Sequence, residues 1–338
     1  MDLRLLERTL DELGEPAFRA GQVWRWVAQG AGSYQGMTNI PLALRAVLEE
    51  RVPFSTLTVL EQVEARDGTV KTLFRTHDGR PVEAVLMRYR DRRRSLCLSS
   101  QSGCPLTCTF CATGQMRFGR NLSASEILDQ AIHFRRIEPV DHAVFMGMGE
   151  PMMNLDAVLG ACDRLPDVGI TARRTAISTV GWIPGIERLA SDTRPLRLAL
   201  SLHAADPALR SELMPVNDRY RLPDVLAACE DYYGRKHRKV FVEYVMLAGV
   251  NDSVAQAIQL ADVLSADAFK VNLIPYNPTG SAFDGSSPKA IEAFRAALQS
   301  RGVDATVRLT RGREIAAACG QLAAAPALAA PSRASLAR

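Results

Sequence analysis

The chain has 338 residues, 47% of them hydrophobic and 23% charged, which is material for a full core, and its formal net charge of +4 is too small by itself to mark a nucleic-acid binder. No run of about 18 apolar residues could cross a bilayer, and the opening Met1-Asp-Leu-Arg-Leu-Leu-Glu7 carries acidic residues where a secretory signal needs an apolar centre, so the cytosol is the expected compartment. Seven cysteines, three of them clustered, fit metal or redox chemistry in a reducing compartment better than a framework of disulfides.

Residues 1–50 read as a small helical domain. Leu6, Leu10 and Leu13 recur on one helical face, Phe18, Val23, Trp24, Trp26 and Val27 form a second apolar stripe, and Pro16 and Gly30-Ala-Gly32 punctuate them. Residues 51–93 change character. Thr56 to Val63, Val70 to Arg75 and Pro81 to Tyr89 are strand-like, with Asp67-Gly68 and Asp78-Gly79 as hairpin turns, and together they predict a β-hairpin extension joined to the core.

From Arg94 onward a β-α alternation sets in. Strands are expected at Ser95 to Ser100, His142 to Gly147, Arg174 to Ser178, Leu196 to His203, Val240 to Met246 and Phe269 to Tyr276, each followed by a helical pattern. Ser123-x-x-Glu126 opens the first long helix with a capping box. Six such units predict an α/β protein built on a partial (βα)6 TIM-like barrel over residues 94–322. A last strand, Ala305 to Leu309, leads through Thr310-Arg311-Gly312 into a helix expected to hold Cys319, and residues 323–338, dominated by Ala and Pro with Ser, read as a frayed, disordered tail.

In a barrel of parallel strands, chemistry gathers where strands end and loops begin. The notable residues obey that rule: the cysteine loop follows the first strand, Gly147-Met148-Gly149-Glu150-Pro151 the second, and Ser178 and Ser201-Leu202-His203 end the third and fourth, while Asn277-Pro278 follows the sixth. Cys104-Pro-Leu-Thr-Cys108-Thr-Phe-Cys111 sets three thiols at C-x3-C-x2-C spacing. A structural zinc site wants four closed ligands, whereas a cubane iron–sulfur cluster held by three thiolates keeps one iron open to bind substrate. The spacing resembles that of the radical S-adenosylmethionine (SAM) superfamily, whose open iron chelates SAM. Two other readings stay open at this point: a zinc site completed by Cys97 or a histidine, in a non-catalytic zinc-and-RNA-binding module, and unligated core thiols.

Longer landmarks narrow the choice. Leu96-Cys97-Leu-Ser-Ser-Gln-Ser-Gly-Cys104, Met146-Gly-Met-Gly-Glu-Pro151, Ser201-Leu-His203, Val242-Glu-Tyr-Val-Met246, Asn272-Leu-Ile-Pro-Tyr-Asn-Pro278 and Thr310-Arg-Gly-Arg-Glu-Ile-Ala-Ala-Ala-Cys-Gly-Gln321 resemble the RlmN/Cfr family of radical SAM RNA methyltransferases, from about Phe18 to Leu322. The resemblance implies a 4Fe-4S cluster on Cys104, Cys108 and Cys111, two SAM molecules per turnover, and methylation of an adenine ring carbon. It implies that Cys319 carries the methyl group as S-methylcysteine, that Cys97 resolves the protein–RNA adduct through a transient disulfide with Cys319, and that Glu83 is the proton acceptor. SAM contacts are implied at Gly149, Glu150, Ser178, Ser201, Leu202, His203 and Asn277. The implied partners are 23S rRNA in its peptidyl-transferase region, with tRNA next to the anticodon left open as a second substrate, and a flavodoxin-type electron donor; a monomer is expected. The landmark wording is nearer to the C2-methylating branch, with Cfr-type C8 methylation, which confers antibiotic resistance, as the alternative.

Taken one by one, these residues also have plain readings. Glu83 sits on a strand beside a turn, Cys97 alternates with Leu96 and Leu98 as a core thiol can, and a strand-end histidine such as His203 is often just a satisfied polar group. Cys162 and Cys229 lie in helical patterns and read as core. Basic clumps at Arg88 to Arg94, Arg235 to Lys239 and Arg308 to Arg313 could meet RNA phosphates or simply be solvated faces.

Overall fold

The computed structural model describes residues 1–323. Three helices open the chain: α1 (Leu3–Glu12), α2 (Phe18–Ala28) and α3 (Leu42–Arg51). Asp2 caps α1 by accepting from the backbone N–H groups of Arg4 and Leu5. The stripe on α2 is buried at Val23, Trp24 and Val27, and these side chains belong to the same hydrophobic core as the later helices and strands. The Trp24 indole donates to Asp167 at 2.7 Å, and the Met1 ammonium is buried against Asp129, so polar contacts as well as packing tie the first fifty residues to the rest.

Three antiparallel strands follow, β1 (Leu57–Glu64), β2 (Val70–Thr76) and β3 (Pro81–Arg88). Gly68 and Gly79 make both turns in the left-handed region, at φ 79° and 83°. The extension is therefore a three-stranded meander. β4 (Arg94–Cys97) pairs antiparallel with β3 and opens the parallel series. A short ribbon, β5 (Gln101–Ser102) with β6 (Arg120–Asn121), brackets the cysteine loop. Then come α4 (Ala124–Ile137), β7 (His142–Phe145), α5 (Leu155–Val168), β8 (Thr175–Thr179), α6 (Ile183–Ser191), β9 (Arg197–Ser201), α7 (Pro207–Leu213), α8 (Leu222–Lys236), β10 (Val240–Met246), α9 (Val254–Val263), β11 (Phe269–Pro275), α10 (Pro288–Ser300) and β12 (Ala305–Val307).

The main sheet has ten strands in the order β1-β2-β3-β4-β7-β8-β9-β10-β11-β12, parallel from β4 onward. Six expected barrel strands are present, and β12 adds a seventh in parallel register with β11. The series ends at β12 and at the meander instead of closing on itself. The capping box is formed, with the Ser123 hydroxyl accepting from the Glu126 N–H at 3.2 Å and the Glu126 carboxylate accepting from the Ser123 N–H at 2.8 Å.

Two local expectations change. The first barrel strand stops at Cys97, not Ser100, because the amide of Gln130 takes both the N–H and the carbonyl of Ser99 and so replaces the ladder there. The segment around Cys319 is not a helix. Gly312 and Ala316 both take left-handed backbone, at φ 64° and 52°, which limits helical structure to the single turn Arg313–Ile315 and leaves Cys319 on an irregular turn. The expected disordered tail lies outside the described residues apart from Ala323.

Arg210 on α7 is fully buried and clips three segments together. It donates to the Val180 carbonyl at 2.7 Å, the Leu202 carbonyl at 3.3 Å and the Asn217 side chain at 2.6 Å, joining the loops after β8 and β9. Arg210→Leu would leave the Val180 carbonyl and the Asn217 Oδ1 buried without a donor, while the Leu202 carbonyl keeps the Ala204 N–H. Urea unfolding should show a loss of about 3 kcal/mol, whereas an exposed arginine such as Arg188 replaced in the same way should cost under about 0.5 kcal/mol.

Candidate active site

At the carboxyl ends of the parallel strands the loops enclose an open cavity of about 970 Å³. Its wall includes Cys104, Cys108 and Cys111 from the loop after β4, Gly149 and Glu150 after β7, Ser178 on β8, Ser201 and His203 at the end of β9, and Cys319. The strands converge here because they are parallel, so residues more than 200 positions apart in sequence share one pocket.

The three clustered thiols sit in apolar surroundings. Burial pushes Cys104 up to about 12 and raises Cys108 and Cys111 as well, so thiolates here need a cationic partner. Their sulfurs do not all come within 4.8 Å of one another. Tetrahedral zinc, with Zn–S near 2.3 Å, would need them about 3.8 Å apart. The donor set is three soft thiolates facing a roomy cavity, and it fits a cubane cluster with one open iron better than a single closed ion.

Glycine is required at the loop after β7. Gly149 has φ 97°, and a Cβ there would stand 2.5 Å from the Gln101 side chain. Gln101 accepts from the Glu150 N–H at 2.8 Å, while the two Glu150 carboxylate oxygens accept from the N–H groups of Met152 at 2.9 Å and Val180 at 3.0 Å. Burial holds the Glu150 carboxyl up at about 7 against the pull of those backbone donors. Glu150 thus braces the loops after β7 and β8 while facing the cavity. The Ser178 and Ser201 hydroxyls meet at 3.3 Å.

His203 is buried at a left-handed φ of 61°. Its Nδ1 accepts from the Val245 N–H at 3.0 Å, which leaves the proton on Nε2, and its ring packs edge-on against Phe110 at 4.7 Å. Burial, helped by the Arg210 charge, lowers its pKa to about 3. Leu202 differs from its neighbours: its side chain lies in the main core, it is not among the cavity residues, and its backbone N–H donates to the Glu243 carbonyl.

A second cavity of about 470 Å³ adjoins the first and holds Cys97, Asn277 and again Cys319. Cys319 therefore belongs to both. Its position is stitched from two sides: Ala112 in the cysteine loop donates to the Gly320 carbonyl at 2.8 Å, and the Asn277 amide donates to the Cys319 carbonyl at 3.4 Å. Gln321 reaches the Pro278 carbonyl at 2.9 Å. Burial, and then the charge that would form on Cys319, push Cys97 up to about 12, while Arg308 pulls it down. Cys97 and Cys319 are both free thiols in this structure, so the implied disulfide is not formed here.

Glu83 lines neither cavity. It is fully buried on β3, two residues before Val85, the register partner of Cys97, so Glu83 and Val85 point to the same side of the sheet. Its carboxylate is 3.0 Å from Lys71 Nζ and accepts from the Ala323 N–H at 3.0 Å, placing it beneath the segment that carries Cys319.

Two site residues escaped the sequence reading. Glu243 and Arg308 lie between strands at the floor of the first cavity, 3.3 Å apart, and Arg308 also reaches the Met146 sulfur at 3.3 Å. The charge that would form on Cys319, and the Glu243 carboxylate, raise the Arg308 guanidinium. The available signal was a carboxylate inside the apolar strand Val242-Glu243-Tyr244-Val245. Several residues of the basic clumps are occupied structurally. Arg88 and Arg94 both pair with Glu138, Arg311 lies 3.8 Å from Asp67, and Lys236, Arg238 and Lys239 donate to backbone carbonyls.

Known proteins share this architecture. A family model described as the Radical SAM superfamily matches residues 98–261, and one described as the Ribosomal RNA large subunit methyltransferase N-terminal domain matches residues 1–53. The "Probable dual-specificity RNA methyltransferase RlmN" of Chloroflexus aurantiacus is 47% identical, with 95% of this chain and 91% of that protein covered. The "Dual-specificity RNA methyltransferase RlmN" of an Anaeromyxobacter species is 43% identical over 96% of this chain and 89% of its own length. The crystal structure of a radical SAM methyltransferase from Sphaerobacter thermophilus superposes with a TM-score of 0.90 at 43% identity, covering 96% of this chain and 98% of that one.

Because His203 is held neutral, its folded pKa lies below the ordinary 6.5. Its contribution to stability is complete above pH 6.5 and is lost as pH falls toward 3, by about 1.4 kcal/mol per pH unit. Denaturant unfolding at pH 7.5 and 5.5 should show a steeper loss for the wild type than for His203→Gln; equal losses would place the ring in a more solvated setting.

Proposed function

This chain belongs to the RlmN family of radical SAM dual-specificity RNA methyltransferases, and from that premise we propose that it makes 2-methyladenosine in the peptidyl-transferase region of 23S rRNA and in tRNA beside the anticodon. It acts as a monomer in the cytosol, with a flavodoxin-type protein as electron donor and two SAM molecules consumed per methyl transferred. The observation that supports this most is the place of Cys319, which faces the cavity of the three clustered thiols on one side and the cavity of Cys97 on the other.

C2 of adenine lies between two electronegative nitrogens, so it cannot attack a sulfonium methyl group as an ordinary nucleophile would. Cys104, Cys108 and Cys111 would hold a 4Fe-4S cluster, which when bound would supply the single electron for reductive cleavage of SAM. Everything else falls to the chain. Gly149 lets backbone approach the SAM held over the cavity, and Glu150, Ser178, Ser201 and His203 give it polar contacts, with Leu202 serving through its position between the last two and Asn277 from the neighbouring cavity.

Cys319 takes a methyl group from a first SAM: the carbon–sulfonium bond breaks, a carbon–sulfur bond forms at Cys319 Sγ, and S-adenosylhomocysteine leaves. Once a hydrogen atom of that S-methyl has passed to the 5′-deoxyadenosyl group of the second SAM, which leaves as 5′-deoxyadenosine, the Cys319-borne carbon radical adds to C2 and joins protein to RNA. Glu83 accepts the proton from the ring carbon, which requires the Ala323 segment above it to shift. The unpaired electron of the adduct would return to the cluster; the Cys97 thiolate then attacks Cys319 Sγ, the Cys319 sulfur–carbon bond breaks as a transient sulfur–sulfur bond forms, and the methylene released on the base takes up a proton to become the methyl group. The pocket they share makes that attack short-range. The target adenine has to leave its stack to enter such a cavity.

Two variants test the order of events. Cys319→Ala should fold and retain about four iron and four sulfide per chain after anaerobic reconstitution, yet transfer no methyl to RNA. Cys97→Ala should instead accumulate a covalent protein–RNA species resistant to denaturing electrophoresis. Mass spectrometry of the product nucleoside completes the test: 8-methyladenosine would overturn the C2 assignment, and methyl transfer by Cys319→Ala would overturn the mechanism.

A further inference from the structure

A third cavity lies at the other end of the barrel. It is open, about 1440 Å³, and is walled by the amino-terminal halves of the parallel strands. A closed barrel fills this space with bulky branched side chains. Here the inner positions of β4, β8 and β9 carry only Ser95, Ala176 and Ala199, with His142 and Val144 on β7, which leaves open space between the walls. The floor that divides it from the candidate active site is one layer thick, made of Met146, Glu243 and Arg308, which face both cavities.

The charge in this cavity is mostly positive. Arg173, Arg174 and Arg197 line it, all three exposed and none within ion-pair distance of a carboxylate among the described residues, while His142 on the same wall is held at 2.8 Å by Asp141, a carboxylate that Arg174 also helps to keep low. Glu243, the carboxylate in the wall, is already taken by Arg308 at 3.3 Å and by the Asn272 amide at 2.9 Å. Arg197 is fixed by donating to the Arg173 carbonyl at 3.1 Å and lies over the Phe241 ring at 5.8 Å; Arg93, on the opposite wall, stacks on Tyr89 at 4.1 Å. The repulsion reaches beyond the cavity: burial and then the Arg197 charge, with Arg173 adding to it, lower the nearby Arg238 guanidinium. Planar guanidiniums that outnumber the neighbouring carboxylates Asp141 and Glu243, beside aromatic faces in a concave wall, match the phosphoryl oxygens and base of a nucleotide.

We propose that the lower mouth of the barrel binds a small oligophosphate anion of the nucleoside diphosphate class, its phosphates on Arg173, Arg174 and Arg197 and its base against Tyr89 or Phe241. The site is separate from the one that holds the methyl-carrying Cys319, and its occupancy needs neither SAM nor the cluster. A free nucleotide is favoured over an RNA strand because the cavity is walled by strands on several sides and floored by the Arg308 layer.

Titration calorimetry on the full chain with pyrophosphate, ADP and a single-stranded RNA hexamer tests this. ADP and pyrophosphate should bind saturably, with ADP tighter. The double variant Arg173→Ala/Arg174→Ala should weaken both by about tenfold or more, the scale of losing charge-assisted hydrogen bonds. Ala199→Leu, which keeps every arginine and fills the hollow, should also abolish ADP binding; a raised melting temperature on adding ADP to wild type but not to Ala199→Leu gives a second readout where heats are small. No saturable binding of either anion at 1 mM, binding that survives both variants, or binding of the RNA hexamer in preference to ADP would each overturn the proposal.

Discussion

Three clustered thiols in an apolar pocket can ionise only when a cation shares it. Their surroundings favour the protonated form of each, and their spacing is too wide for one tetrahedral ion to close on all three. The rest of the molecule can be understood as the support that this arrangement needs. A ribbon, β5 with β6, fastens the two ends of the cysteine loop, Gln101 in that ribbon positions Gly149 and Glu150, and the loop itself supplies the donor that anchors the Cys319 turn. Parallel strands bring these pieces to one mouth; the Arg210 clip keeps two of the loops from separating.

The sheet accomplishes this without closing. Its ten strands end at β1 on one side and β12 on the other, and the seam between β3–β4 and β12 is crossed by the segment that carries Cys319. A thiol on a helix or strand would be fixed by its own backbone ladder. Cys319 is instead on a turn between left-handed Ala316 and Gly320, held by hydrogen bonds from two neighbouring loops. Such a segment can move by exchanging a few hydrogen bonds, and Cys319 on it borders both cavities. The Lys71–Glu83 pair beneath it shows why the first antiparallel strands belong to the same sheet: they bring a carboxylate under the turn from a part of the chain that holds no other site residue.

Hollowness has a cost in packing, and the cavities mark where it falls. Small residues at Ser95, Ala176 and Ala199 leave the lower barrel open, while the upper cavity is bounded by glycines and by short side chains such as Ser178 and Ser201. Between them a single layer, Arg308 with Glu243 and Met146, separates the two spaces. The one buried carboxylate in that layer is neutralised by its neighbours, so positive charge prevails on the lower side.

Much of this was legible in the chain itself. Periodicity and turn residues located the helical start, the meander strands and the β-α alternation, and the capping box at Ser123 formed as its spacing required, because these features depend on contacts only a few residues apart. The cysteine spacing likewise limited the metal chemistry, since C-x3-C-x2-C puts three soft donors on one short loop. Tertiary structure alone decided what lies opposite that loop. Nothing local in the sequence could show that Cys319 would sit on a turn rather than a helix, that Leu202 would turn into the core while His203 faced the cavity, that Glu83 would lie under Ala323, or that Arg308 would leave its basic clump to meet Glu243. Each of those depends on strands far apart in sequence reaching one place, and the energy that selects it comes from burial shared among them.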